Sequence, residues 1–234
     1  MRAAPPPPSP RSCSQPSRTE IDHVHRQETW KPVDDTGPVD TLFELPPPDR
    51  SRKPALLTVG HSNRSLEDFL ALLRAHAVEV LVDVRAFRGS RRYPWFSEPS
   101  LREALSREGI TYLPEPALGG RRKPAPDSRN TVWEDDGFRA YADHMECQTF
   151  RDAAARLAEL SHTRRTAVMC AEATWWRCHR MLIADYLKAA GHSVLHILDD
   201  REAQPHPYSP GARASASMAD HYARTVLGLG GRVD

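Results

Sequence analysis

Reactive side chains crowd one short stretch of the chain, residues 166–190, which reads TAVMCAEATWWRCHRMLIADYLKAA. A thiol and a carboxylate, Cys170 and Glu172, come directly after a short apolar run. Two indoles, a second thiol, an imidazole and two guanidiniums follow before the next apolar positions: Trp175, Trp176, Arg177, Cys178, His179 and Arg180. Polar and charged groups at this density are poor material for a hydrophobic core, so the stretch predicts a functional site.

Cys170 and Glu172 suggest different chemistries. A cysteine attacks as the thiolate, which a neighbouring arginine or histidine stabilises, whereas a carboxylate two residues away disfavours that charge. We therefore favour Glu172 as the group that does chemistry, as general acid or base or as acceptor for a substrate N–H. Cys170 is then a nucleophile or a structural neighbour. A cysteine that ends an apolar strand is often only a small buried hydrophobe.

The basic and aromatic side chains of this stretch favour a phosphate-bearing ligand. Arg177 and Arg180 are predicted to open a helix, whose free N–H groups and dipole attract an anion. Trp175 and Trp176 are suited to stacking on a base. The alternatives are that the arginines cover the helix surface and that the indoles form a hydrophobic lid.

Zinc is another interpretation of the same residues. Cys170, Cys178, His179 and the more distant His61 all have side chains that bind zinc in proteins. Neighbouring residues on a helix point about 100° apart, however, so Cys178 and His179 are not expected to share one ion. We expect no cofactor and no metal ligands, and zinc stays open as the alternative.

Apolar runs and helical periodicities alternate along the chain. Strands are predicted at 55–59, 78–84, 110–113, 167–169 and 193–198, with loop-like sequence over 199–211. Helices are predicted from a Ser65 cap onward, over 97–107, 137–145 and 150–160, from Arg177 onward, and more weakly over 214–227. This alternation predicts a single three-layer α/β domain with a mainly parallel sheet.

Polar groups lie at or just beyond the carboxyl ends of four of the predicted strands. They are Gly60, His61 and Ser62, then Asp83 and Arg85, then Cys170 and Glu172, and finally His196. Because ligands bind outside the carboxyl ends of parallel strands, we expect these segments to meet at one edge. The catalytic candidates are Glu172, His61, Cys170 and Asp83, and the substrate-binding candidates are Ser62, Arg85, Trp175, Trp176, Arg177, His179 and Arg180. A structural ion pair is the alternative for Asp83 and Arg85.

Composition limits where the protein works. Proline and polar residues dominate residues 1–54, which we expect to form a disordered leader before a domain at 55–234. The start MRAAPPPP lacks the apolar core of a secretory signal, and no apolar run approaches the roughly 20 residues that span a bilayer. We therefore expect a cytoplasmic protein without a membrane partner.

Cysteines and charges add two expectations. The four cysteines contain no CxxC pair, which favours free thiols or ligands over a disulfide scaffold. The net charge is only +1, but several basic residues cluster in two predicted loops and are interleaved with aromatic side chains: Arg88, Arg91, Arg92, Arg121, Arg122 and Lys123. Such loops suit a polyanion or are simply solvated.

Several segments together resemble the DUF488 family of uncharacterised bacterial and archaeal proteins. They are TVGHSNRSLEDFLALL, VLVDVRAFRGSRR, YLPEPALGGRRKP, FRAYADHM, VMCAEATWWRCHRMLIADYL and VLHI. The resemblance implies a compact α/β domain and no assigned activity. It marks eight positions: His61, Asp83, Arg85, Cys170, Glu172, Cys178, His179 and Arg180.

The sequence shows a weaker resemblance to rhodanese-type sulfurtransferases. VLVDVR is similar to their early strand, and Cys170 followed by Arg177 is similar to their cysteine loop. That loop is normally shorter, carries a glycine and avoids acids, whereas here it contains Glu172.

The leading hypothesis is an enzyme, a hydrolase or transferase, that acts on a nucleotide or on a base in nucleic acid. Phosphate would bind at Arg177 and Arg180 with help from Arg85, and Glu172 and His61 would transfer protons. The alternatives are sulfur or persulfide transfer through Cys170 and a non-catalytic module that binds nucleic acid.

Overall fold

The computed structural model describes residues 54–214, which form a six-stranded sheet in the order β3-β2-β4-β1-β5-β6. The strands are β1 (Ala55–Gly60), β2 (Val80–Asp83), β3 (Thr111–Pro114), β4 (Arg165–Cys170), β5 (Val194–Ile197) and β6 (Gln204–Pro205). The first five are parallel, and β6 runs antiparallel to β5. The parallel pairing confirms the predicted α/β class.

Helices connect the strands and cover both faces of the sheet. They are α1 (Leu66–Ala75), α2 (Glu98–Arg107), α3 (Asp136–Met145), α4 (Gln148–Thr163), α5 (Arg180–Ala189) and α6 (Pro210–Ala214). Short 3-10 turns lie at Pro94–Phe96, Pro116–Leu118 and Trp175–Arg177. The Ser65 hydroxyl accepts from the N–H of Asp68, 3.0 Å away, so the predicted cap at the start of α1 is present.

Alternate residues on the strands pack against opposite helix layers, as the two-residue period of a strand requires. Leu57 of β1 packs with Phe69 of α1 in one buried cluster, which also holds the apolar side chains of α2. Leu56, the preceding residue of β1, belongs to a second cluster with Phe150 of α4 and Ile183 of α5. The sheet is therefore the middle of three layers.

Strand β4 lies between β2 and β1, although it follows both in the chain. Its last residue, Cys170, is level with Gly60 of β1, and Met169 is level with Asp83 of β2. The carboxyl ends of three neighbouring strands therefore lie side by side.

Two elements differ from the sequence prediction. Helix α5 begins at Arg180, not at Arg177, because Trp175–Arg177 form a 3-10 turn and Cys178 is extended, with φ −135° and ψ 148°. Within the predicted loop at 199–211, Gln204 and Pro205 pair with β5 as the short strand β6.

Parts of the predicted organisation lie outside the described residues. These parts are the leader up to residue 53 and the predicted helix beyond Ala214. Among residues 54–214, no helix is both long enough and apolar enough to cross a membrane.

Candidate functional site

The loops that follow β1, β2 and β4 continue the backbone pairing of the sheet. The N–H of His61 donates to the carbonyl of Cys170 at 3.1 Å, and the N–H of Ser62 donates to that of Ala171 at 2.9 Å. On the other side, the N–H of Val84 donates to the carbonyl of Met169 at 3.0 Å. The polar segments of these three strand ends therefore meet at one edge.

A close backbone contact joins β1 to the loop after β4. A Cβ at Gly60 would lie 1.9 Å from the carbonyl oxygen of Glu172, so only glycine fits at this position. The guanidinium of Arg180, which is 1% exposed, donates from Nη2 to the same carbonyl. Arg180 is thus a buried residue that holds the loop by a hydrogen bond to its backbone, and it does not lie at the surface.

A compact cluster lies beside Arg180 and consists of Cys170, Cys178 and His179. His179 Nδ1 lies 3.9 Å from the sulfur of Cys170 and 3.6 Å from that of Cys178. His179 Nε2 lies 3.2 Å from the carbonyl oxygen of Val84. Because a carbonyl can only accept, Nε2 carries the proton and the Nδ1 lone pair faces the two sulfurs.

The surroundings of the two thiols separate their acidities. The hydrogen bond from the Cys170 thiol is the main influence that lowers the pKa of Cys178, and it outweighs the opposing effect of burial. Arg180, whose Nε donates to the Cys178 sulfur at 3.4 Å, lowers that pKa further. The same bond, together with burial, raises the pKa of Cys170. Cys178 is therefore the more acidic thiol of the pair, and it was not among the predicted catalytic residues.

Asp83 and Arg85 form a buried ion pair behind the cluster. The Arg85 guanidinium donates to both carboxylate oxygens of Asp83, at 2.6 Å from Nη2, and Tyr112 of β3 donates its hydroxyl to the same carboxylate at 2.6 Å. Burial alone would lower the pKa of Arg85, but the hydrogen bond with Asp83 raises it. Arg85 also donates to the carbonyl of Phe96 at 2.8 Å, so its donors are used inside the protein.

His61 completes this network. Its Nδ1 lies 2.9 Å from the carbonyl oxygen of Ser62, and its Nε2 lies 3.3 Å from Nη1 of Arg85, which can only donate. The ring stacks on Phe96, with 4.1 Å between the ring centres. Burial, followed by the charge of Arg85, lowers the pKa of His61 to about 4. The imidazole is neutral at pH 7, with both nitrogens engaged.

The loop after β4 places three large side chains at the surface. Glu172 and Arg177 are exposed, and within residues 54–214 neither side chain forms a hydrogen bond or an ion pair. Trp176 is 48% exposed, whereas Trp175 is half-buried. The exposed carboxylate, guanidinium and indole thus remain available to a ligand.

The chain matches a family model described as a domain of unknown function, DUF488, over residues 65–187. It belongs to the DUF488 family. The match covers Asp83, Arg85 and the cysteine–histidine cluster, and it ends before β5. No curated protein and no solved structure matches this DUF488 chain.

His196 of the DUF488 chain does not reach the edge with the other strand ends, contrary to the prediction. It lies inside β5, level with Thr58, and its ring stacks under Trp175 with 4.2 Å between the ring centres. Asp185 Oδ1 lies 3.0 Å from His206 Nε2, His206 Nδ1 lies 2.8 Å from His196 Nε2, and His196 Nδ1 lies 2.6 Å from the Thr58 hydroxyl. This buried row was not predicted, because its members are far apart in the sequence.

The cysteines and the basic loops show further differences. Cys170 and Cys178 are free thiols, as predicted, but Cys147 is disulfide-bonded, so the expectation of free thiols was wrong there. In the DUF488 loops, Arg88 pairs with Glu98 at 2.7 Å, and Arg121 lies over the ring of Phe87.

Proposed function

We propose that this DUF488 protein is an enzyme that acts on a nucleotide or on a base within nucleic acid, at the carboxyl edge of β2, β4 and β1. The observation that carries the proposal is the exposed carboxylate of Glu172, which is unpaired among residues 54–214 and lies two residues from Cys170, a member of a cluster of two buried thiols and a half-buried imidazole. The same loop carries an exposed guanidinium and an exposed indole.

In this proposal the exposed residues of the loop bind the substrate. Arg177 takes the phosphate, since its guanidinium has no partner within residues 54–214, whereas that of Arg180 is buried against the Glu172 carbonyl. Trp176 offers a free ring face to a base, and such stacking is worth about 1–3 kcal/mol per base. The Trp175 ring packs edge-to-face against the Trp176 ring and helps to hold it in position.

Proton transfer falls to Glu172. His61 was the other proton-transfer candidate, but both of its nitrogens are engaged by Ser62 and Arg85. We assign His61, Asp83 and Arg85 the task of holding the loop after β1 in place, because the whole network is buried. Glu172 is the remaining group of the proposed site that is free to give or take a proton.

The test is a turnover screen of the full-length protein with nucleotides and with short single- and double-stranded oligonucleotides, followed by mass spectrometry of the products. We expect at least one substrate class to be converted, and Glu172→Gln to lower the rate about 100-fold or more, as for loss of a general acid or base. Glu159→Gln is the matched control, because Glu159 is an exposed acid on α4, near the amino end of β4.

Two results would reject the proposal. Turnover that survives unchanged in Glu172→Gln would remove Glu172 from the chemistry. Binding of oligonucleotides with steep salt dependence, without any product and without an effect of Glu172→Gln, would indicate a non-catalytic binding module instead.

Sulfur transfer is the second candidate. The sequence assigned it to Cys170, but the lowered pKa of Cys178 favours Cys178 as the attacking thiol. Attack of the Cys178 thiolate on the outer sulfur of thiosulfate forms a new S–S bond, leaves a persulfide on Cys178 and releases sulfite with the electron pair of the broken bond. Intact-mass measurement after thiosulfate treatment checks it: added sulfur that persists in Cys170→Ser but disappears in Cys178→Ser supports this candidate. The absence of added sulfur in the wild type rejects it.

A further inference from the structure

The cluster at the end of β4 has the dimensions of a metal site. For Zn–S bonds of about 2.3 Å and Zn–N bonds of about 2.1 Å, tetrahedral geometry separates a sulfur from a nitrogen by about 3.6 Å. The two sulfurs lie 3.6 and 3.9 Å from His179 Nδ1, and all three ligand atoms lie within 4.8 Å of one another. We propose that Cys170, Cys178 and His179 bind one zinc ion, which has no fourth protein ligand among residues 54–214.

The backbone conformation explains how adjacent residues reach one point. The backbone of Cys178 is extended, and His179 is the N-cap residue of α5. The divergence of neighbouring helical residues therefore does not apply to this pair. Cys170 joins them from the end of β4, so the proposed ligands come from a strand end and from the start of a helix.

The groups around the cluster orient the ligands as the partners of bound metals do. Ligating histidines usually donate their other N–H to a carbonyl or carboxylate, which fixes the ring and its tautomer. His179 does so through Nε2 to the carbonyl of Val84. Arg180 donates from Nε to the Cys178 sulfur, a contact that favours the thiolate form a metal requires.

A glycine lets a neighbouring loop pack closely against the proposed ligand His179. A Cβ at Gly120 would lie 2.8 Å from His179 Nδ1, the atom that would coordinate the metal. The loop can approach the imidazole this closely only because residue 120 has no side chain.

Ligand type and charge select the ion. Two thiolates and a neutral imidazole are soft to borderline ligands, which suit zinc rather than magnesium or calcium. Both thiols are buried, and a divalent cation balances the two negative charges that they carry as ligands.

The number of ligands separates a reactive site from a structural one. Within residues 54–214, the group comprises only these three ligands. Structural zinc sites are closed by four protein ligands, whereas three ligands leave a position for water or a substrate atom. Glu172 lies two residues beyond Cys170. The inference concerns metal binding alone and does not depend on the identity of the substrate.

Metal analysis of the full-length protein, expressed with added zinc and freed of any tag, tests the site. We expect inductively coupled plasma mass spectrometry to measure about one zinc ion per chain. After exchange for cobalt, we expect thiolate-to-cobalt charge-transfer absorption and the intense visible bands of tetrahedral cobalt. His179→Gln should lose the metal, and His162→Gln is the matched control, because His162 is an exposed histidine at the end of α4.

A second readout in the wild type covers the case in which a variant fails to fold. Cys170 and Cys178 should resist alkylation in the zinc-loaded protein and react after a chelator is added. A protein that takes up neither zinc nor cobalt, or whose two thiols react equally with and without chelator, would overturn the assignment. Metal that stays bound in a folded His179→Gln variant would overturn it as well. None of these measurements uses a substrate, so failure of the proposed function would leave them unaffected.

Discussion

Replacing Gly60 with alanine is expected to destabilise the domain far more than the same change at an exposed glycine. The new Cβ would lie 1.9 Å from the Glu172 carbonyl oxygen, while real Cβ atoms essentially never approach other atoms within 3.0 Å. The loop after β4 must therefore retreat by about 1 Å or more, as overpacked sites do. The same carbonyl accepts from the buried guanidinium of Arg180, and a Cβ would also lie 2.9 Å from Nη2 of that side chain.

Two costs add up in this variant. Overpacking a well-packed site costs about 1–3 kcal/mol, and losing a hydrogen bond to a charged group costs about 1.5–3 kcal/mol. We expect Gly60→Ala to lower the free energy of unfolding by about 2.5–6 kcal/mol. With a urea dependence of about 2 kcal/mol per molar, the unfolding midpoint falls by about 2 M.

Equilibrium urea unfolding, followed by tryptophan fluorescence and by circular dichroism, measures the loss. Gly89→Ala is the matched control, because a Cβ at Gly89 meets no atom within 4 Å, and its effect should stay within about 0.5 kcal/mol of zero. A loss in Gly60→Ala that lies within about 1 kcal/mol of the control would show that the Glu172 carbonyl does not press against β1.

Two further predictions concern buried ionisable side chains. Asp83→Asn leaves Arg85 charged in a site that is 4% exposed, so we expect urea unfolding to show a loss of about 3–5 kcal/mol. The exposed acid Glu103, changed to glutamine as the control, should alter stability by less than about 1 kcal/mol; equal losses would contradict the buried pair. Burial is the main cause that lowers the pKa of His144 to about 4 and of His196 to about 3. Since both values lie below the unfolded value of about 6.5, the unfolded chain binds more protons between pH 4 and pH 6.5, and stability falls on acidification by about 2 kcal/mol per histidine from pH 7 to pH 5. Urea unfolding over this range should show a shallower loss in His144→Gln than in the wild type, and an unchanged slope would refute neutral burial of His144.

Much of the fold follows from local sequence patterns. Apolar runs mark the parallel strands, and Ser65 with Asp68 marks the start of α1. These features depend on residues close in sequence, where propensity and periodicity act directly.

The parts that sequence reasoning missed depend on tertiary geometry. The start of α5 was placed three residues too early, because nothing in the sequence distinguishes a 3-10 turn followed by an extended Cys178 from a first helical turn. That difference decides whether Cys178 and His179 can face one point. The partnership of Tyr112 with Asp83 joins neighbouring strands across the sheet, and a single sequence carries no signal for it.

The position of β4 also constrains how the chain folds. β1 and β2 are made early in synthesis, but they do not pair with each other, and each finds a partner in β4 about a hundred residues later. Closing such long loops is slow, because their entropy is lost before the strand contacts form. Until β4 inserts, the inner edges of β1 and β2 remain open, and open strand edges on a partly folded chain invite aggregation. The insertion that closes the sheet also brings Cys170 to its edge, so the candidate site is assembled in the last step that completes the sheet's centre.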